Sequence, residues 1–153
     1  MLASVLAYEA LVQTGEWVER RTVYKHALKE SRRAGAALVV VGCPKWGLHH
    51  GTGDMCLDLH HPFWCRCTNP QVGDIQNMSE MFPPKSIVVY SSHVLEHLEV
   101  DVAERAIQAM EKVAIAQYHC WPSKASIMGW LAPTHRNWPH LMQNGEFTFE
   151  RRG

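Results

Sequence analysis

Apolar residues open the chain at Leu2, Val5, Leu6, Ala10 and Leu11, a spacing that predicts a helix over 2–13. Gly15 is expected to interrupt it. A second helix is predicted over 16–34, with Trp17, Tyr24, Ala27 and Leu28 on one side, charged residues on the other, and Gly35 in the C-cap place. The period then changes. Ala37-Leu38-Val39-Val40-Val41 is a continuous, largely β-branched run flanked by glycines, which suits a strand buried on both faces. Short runs of this kind recur at 55–59, weakly at 72–75, then at 86–90 and 115–120. Between the last two, Val102, Ala103, Ala106, Ile107, Met110, Val113 and Ala114 form a helical stripe. Strands alternating with helices predict an α/β domain with a mainly parallel sheet and helices on both faces. Residues 133–143 are expected to form a helix closed by Asn144-Gly145, and 146–151 (EFTFER) a half-exposed edge strand.

Composition narrows the class. At 153 residues one domain is the default. It divides into N-terminal helices over 1–35, a core over 36–120 and a short tail over 121–153. Apolar residues at 46% and charged residues at 20% exclude a disordered tail, a collagen-like repeat and a coiled coil. Fifteen basic residues balance fifteen acidic ones, so net charge gives no footprint for indiscriminate nucleic-acid or membrane binding. The longest apolar run, 36–41, is far below the ~20 residues of a membrane span. The first thirteen residues lack a basic start and carry Glu9, which argues against a signal peptide. Five cysteines are an odd number, and four of them fall within 43–67. Free thiols in a reducing cytoplasm are therefore expected.

In an open parallel sheet, ligands bind beyond the carboxyl ends of the strands. The residues there are Gly42-Cys43-Pro44-Lys45-Trp46-Gly47 after the first strand and Asp58 with Leu59 at the end of the second. Gly73-Asp74-Ile75 falls at the third, and Ser91-Ser92-His93 followed by Val94-Leu95-Glu96-His97 comes after the fourth. Glycine lets a backbone approach a ligand, and an acid one strand later can hold ribose hydroxyls. Their order and near-even spacing form the signal.

Residues 73–114 (GDIQNMSEMFPPKSIVVYSSHVLEHLEVDVAERAIQAMEKVA) resemble a run found in class I S-adenosylmethionine-dependent methyltransferases of the ubiquinone- and menaquinone-biosynthesis group. That family has GDxxxLPF, a strand, SxxxLEH and a helix ending in ExxRV. The resemblance covers roughly residues 36–120. It implies a Rossmann-like sheet, truncated at its C-terminal end, with S-adenosylmethionine as cofactor. Gly42, Cys43, Pro44 and Gly47 would cradle the methionine part. Asp58, with Leu59 beside it, would bind the ribose. Asp74 would read the adenine with Ile75 packed on the ring. Ser91, Ser92 and His93 would line the floor near the reactive methyl, with His93 as the catalytic residue. The acceptor would be a small molecule or an RNA nucleotide, and a homo-oligomer or partner could complete its site. Val40 stands where the family carries an acid and Pro44 where it carries glycine.

Those two departures support an alternative, a non-catalytic methyltransferase-like scaffold. A further alternative is a zinc hydrolase, because His93-Val94-Leu95-Glu96-His97 matches H-x-x-E-H. On a helix its two histidines would share a face, with a third ligand expected from Glu146 or Glu150. Cys56, Cys65 and Cys67, with His49, His50, His60 and His61, offer a second metal possibility, although C-x-C is tighter than the usual zinc spacing. Trp121, Trp130 and Trp138, with His119, His135, His140 and Arg136, are expected either to build an acceptor wall or to close the core. The pairs Arg20-Arg21, Arg32-Arg33 and Arg151-Arg152 read as solvated faces, or as an RNA footprint if they converge.

Overall fold

The computed structural model describes residues 2–42, 51–60, 65–143 and 145–152. One helix, α1 (Leu2–Ala34), runs through Gly15 without a break. An interior glycine costs only about 1 kcal/mol relative to alanine, and long helical flanks on both sides carry it. The helix ends where Gly35 predicts. With φ at 64°, Gly35 donates to the Arg32 carbonyl (3.4 Å) and Ala36 donates to Ser31 (3.0 Å), a Schellman closure.

Five parallel strands follow: β1 (Ala37–Val41), β2 (Met55–Asp58), β3 (Pro70–Val72), β4 (Ile87–Ser92) and β5 (Ala114–Cys120). Their spatial order is β3-β2-β1-β4-β5, with every pairing parallel. This α/β architecture is consistent with a Rossmann-like sheet, in which strand order reverses between the first and fourth strands. The third strand lies earlier than the 72–75 run suggests. Ile75 instead opens a 3-10 turn (Ile75–Asn77) that leads into the short helix α2 (Met78–Met81). Helix α3 (Val100–Val113) crosses from β4 to β5.

The continuous apolar runs are explained by cover on both faces. Leu38, Val40, Cys56, Val88 and Tyr90 pack towards Tyr24 and Ala27 of α1. Val39, Val41, Leu57, Ile87 and Val89 pack with Ile75, Met78, Ala106, Ile107 and Met110. Among the described residues, no helix is long and apolar enough to cross a membrane.

The tail departs from expectation. A short helix, α4 (Ile127–Leu131), precedes an antiparallel hairpin of β6 (Asn137–Leu141) and β7 (Phe147–Arg151). The segment predicted as a helix is instead turn and irregular chain with strand over Asn137–Leu141, and Pro139 there lacks the amide donor that a helix interior would use. The predicted edge strand at 146–151 is present as β7. The cysteines also depart from the free-thiol expectation. Cys56 and Cys67 form a disulfide, with Cα atoms 6.0 Å apart, because parallel pairing sets Cys56 of β2 opposite Pro70 just beyond Cys67. Cys65 is disulfide-bonded as well, and buried Cys120 is free.

Candidate functional site

The predicted residues gather along the carboxyl edge of the sheet. Gly42 follows β1 with φ at 87° and donates to the Leu57 carbonyl of β2 (2.8 Å). A Cβ there would stand 2.9 Å from a Val94 methyl, so the position excludes side chains by conformation and by space. Asp58 closes β2, and Leu59 beside it is exposed. Asp74 caps the 3-10 turn after β3. Its carboxylate accepts from the Gln76 amide (2.9 Å) and from the Gln76 side chain (3.1 Å). Ile75 turns into the core beneath. Ser91 and Ser92 end β4 and are buried. Cys43, Pro44 and Gly47 lie outside the described residues, as do His49, His50 and His61.

His93 occupies the point where strand order reverses. Its φ is 55°, a left-handed backbone that costs a non-glycine residue roughly 1–2 kcal/mol. A hydrogen bond from its amide to the Cys120 carbonyl of β5 (3.0 Å) holds it there. Its ring lies between two groups. Arg20 Nη1 of α1 is 3.2 Å from Nε2, and Glu96 Oε1 is 3.2 Å from Nδ1. A guanidinium only donates, so Nε2 accepts and the ring proton sits on Nδ1, facing Glu96. Arg20 is 8% exposed. The sequence suggests a solvated basic pair there. The detectable signal is the spacing of Glu16, Arg20, Tyr24, Ala27 and Ser31, the buried stripe of α1.

Glu96 is fully buried, and neither carboxylate oxygen has a hydrogen-bond partner. The contact with His93 has ion-pair distance without hydrogen-bond alignment. Leu95–His97 is a 3-10 turn and not an α-helix, so His93 and His97 do not share a helical face as the H-x-x-E-H reading requires. The tail closes over this turn. The Asn137 side-chain amide of β6 donates to the Leu95 (2.9 Å) and Leu98 (2.7 Å) carbonyls, and the Arg136 amide donates to Glu96 O (2.6 Å). This clamp brings His135 against His97, with ring centroids 4.8 Å apart. One ligand atom each from Glu96, His97 and His135 lies within 4.8 Å of the others. The partner that the tail supplies is therefore His135. Glu150 binds Lys124 and sits 3.4 Å from His140.

Other groups beside the site are set by burial. Burial pushes the His119 imidazole down to about 4, keeping it neutral, with Nδ1 2.6 Å from Ser91 Oγ and Nε2 3.0 Å from Gln117 Oε1. Burial pushes the Cys120 thiol up to about 12, so it is no nucleophile. Ser92 Oγ is buried without a partner. Trp138 is buried and supports Trp130 (4.9 Å), which makes both part of the tail's own packing. Members of the basic pairs are engaged by the chain itself. Arg32 binds Asp54, Arg33 binds Glu30, and Arg152 donates to the Ala132 carbonyl.

The fold is that of an α/β protein with a five-stranded parallel sheet, and the candidate site residues lie along its carboxyl edge. No protein-family model matches the chain, and no curated protein does.

Proposed function

We propose that this protein transfers a methyl group from S-adenosylmethionine to a small-molecule or RNA-nucleotide acceptor. The observation that carries the reading is the order of groups along one edge. A left-handed glycine follows β1, an acid closes β2, an acid follows β3, and Ser91-Ser92-His93 end β4 where strand order reverses. Backbone at Gly42 would approach the methionine part, with Cys43, Pro44 and Gly47 continuing the cradle. Asp58 would take the ribose hydroxyls, beside Leu59. Asp74 would release the Gln76 side chain to meet adenine, while Ile75 anchors the turn from the core. The unpartnered Ser92 Oγ supplies a polar group at the floor, which fits a ligand carrying donors and acceptors.

The sulfonium of the cofactor already activates the methyl, so alignment does most of the work in this chemistry. His93 stands at the reactive end. Arg20 occupies its Nε2, so His93 can take a proton from the acceptor only after that contact opens. As arranged, it shapes the floor of the acceptor pocket.

One observation favours the second reading, a non-catalytic member of the same fold. Val40 is 1% exposed and packs towards α1, so β1 offers no acid to the methionine amine. Calorimetric titration with S-adenosylmethionine and S-adenosylhomocysteine separates the two. Micromolar binding that Asp58→Ala abolishes supports transfer. No binding at millimolar ligand rejects it in favour of the scaffold.

A further inference from the structure

We infer that Glu96, His97 and His135 form a binding site for one divalent transition-metal ion, zinc in the first instance. The inference goes beyond the methyl-transfer reading and does not depend on it. Two independent observations carry it. The first is the cluster itself, in which three ligand atoms lie within 4.8 Å of one another. Ligands around a four-coordinate zinc sit about 2.0–2.2 Å from the ion, so a small contraction of the three side chains closes the shell. The second is Glu96, whose carboxyl is wholly buried with both oxygens unpartnered. A buried carboxylate requires a cation or a set of donors, and among the described residues the fold supplies only the His93 contact at 3.2 Å.

The surroundings of the two histidines orient them as ligands. His97 Nδ1 lies 3.2 Å from the Thr134 carbonyl, which leaves Nε2 as the nitrogen with a lone pair to give. His135 Nδ1 is buried without a partner, so a nitrogen of this ring is also left to give. A backbone carbonyl on the far side of a ligating imidazole, as Thr134 stands behind His97, is a usual way for a protein to fix tautomer and ring direction at a metal. Two imidazoles and one carboxylate suit zinc better than the hard cations magnesium or calcium. Glu96 is buried, His135 is half-buried and His97 is exposed, so the site opens towards solvent on one side. Three protein ligands with an open side leave room for water or for an oxygen donor of a substrate.

The test is titration of the chelator-treated full chain with Zn²⁺ by calorimetry and with Co²⁺ by visible absorption, in the absence of cofactor. The expected result is one equivalent bound, with a tetrahedral or five-coordinate Co²⁺ spectrum. His97→Ala and His135→Ala should each weaken binding by at least about 100-fold. Because His97 is exposed, its variant keeps the fold, and thermal melting of the metal-free proteins checks this. His140→Ala serves as the control that changes nothing. Absence of Zn²⁺ binding at millimolar ion overturns the assignment. Unchanged affinity in both folded variants overturns it too, since the ion would then sit elsewhere. Neither result bears on the S-adenosylmethionine titration, so the two readings fail separately.

Discussion

Replacing Glu96 by glutamine should stabilise the metal-free protein. The carboxyl is 0% exposed and neither oxygen has an aligned donor, so in the absence of an ion a negative charge at this position would be poorly compensated. Glutamine has the same shape and removes the charge. It still lacks partners, so only the ionic part of the penalty is relieved. A buried unsatisfied polar group costs about 1–3 kcal/mol and a charged one more, which puts the gain at about 1–2 kcal/mol. At ~2–4 °C per kcal/mol for a chain of this size, Tm should rise by about 2–8 °C in chelator. With zinc at 100 times Kd, the wild type gains about 2.7 kcal/mol and the variant gains little, so their order reverses. Differential scanning calorimetry at neutral pH, with and without zinc, reads both signs. A Tm that is unchanged or lower in chelator refutes the idea that Glu96 is carried as an uncompensated charge.

Three further outcomes follow from particular contacts. Gly42→Ala should cost about 2–3 kcal/mol in urea denaturation, because a left-handed alanine costs roughly 1–2 kcal/mol and its methyl would press on Val94 at 2.9 Å; a loss below 0.5 kcal/mol would show that the turn re-forms differently. His119 should make the protein acid-sensitive. Its imidazole is neutral when folded, with a pKa lowered from 6.5 to about 4, so the unfolded chain binds the extra proton between those values. Stability is then complete above about pH 6.5 and falls by about 1–3 kcal/mol as pH drops towards 4, discounted because part of the ring meets solvent. His119→Gln should flatten that part of the pH profile, and an unaltered slope would count against it. Cys67→Ser should cost about 3 kcal/mol, the chain-entropy value for a loop with a sequence separation of 11; equal urea midpoints with and without dithiothreitol in the wild type would mean the bridge contributes nothing.

The sequence is legible where burial is pure. β1, β4 and α3 are written in apolar residues at the right period because both sheet faces are covered and one α3 face is core. β3 is hard to see because Pro70-Gln71-Val72 lies at the sheet edge and hides little. The tail is misread because Trp138, Leu141 and Met142 happen to fall at helical spacing. What decides their conformation is distant, namely the Asn137 amide bonded to Leu95 and Leu98. The candidate site divides the same way. Gly42, Asp58, Asp74 and His93 follow strands and are found by position. Arg20 and His135 reach the site from elements whose local pattern says nothing about it.

Helix α1 shows why that distinction matters for function. Its buried stripe is largely polar, and its polar residues, with the half-buried Glu9, bond to segments at both ends of the sheet. Glu9 accepts from Ser126 Oγ (2.9 Å) and from the Ile127 amide (2.8 Å), and Glu16 accepts from the Ser123 amide (2.8 Å). Arg20 meets His93, and the Tyr24 hydroxyl accepts from the Gly53 amide (3.2 Å). Against the desolvation that would raise it, the bonds from Gln13, Ile127, Met128 and Ser126 hold the Glu9 carboxyl below its ordinary value. The helix therefore fixes the turn at 123–129 relative to the sheet, and that turn leads directly to His135. His93 and His135 both lie near Glu96, and α1 holds His93 directly through Arg20 and the turn before His135 through Glu9 and Glu16. Glu16→Gln, which touches neither histidine, should thus loosen the tail and shift the geometry of both, whereas changes at exposed Leu6 or Leu11 on the same helix should not.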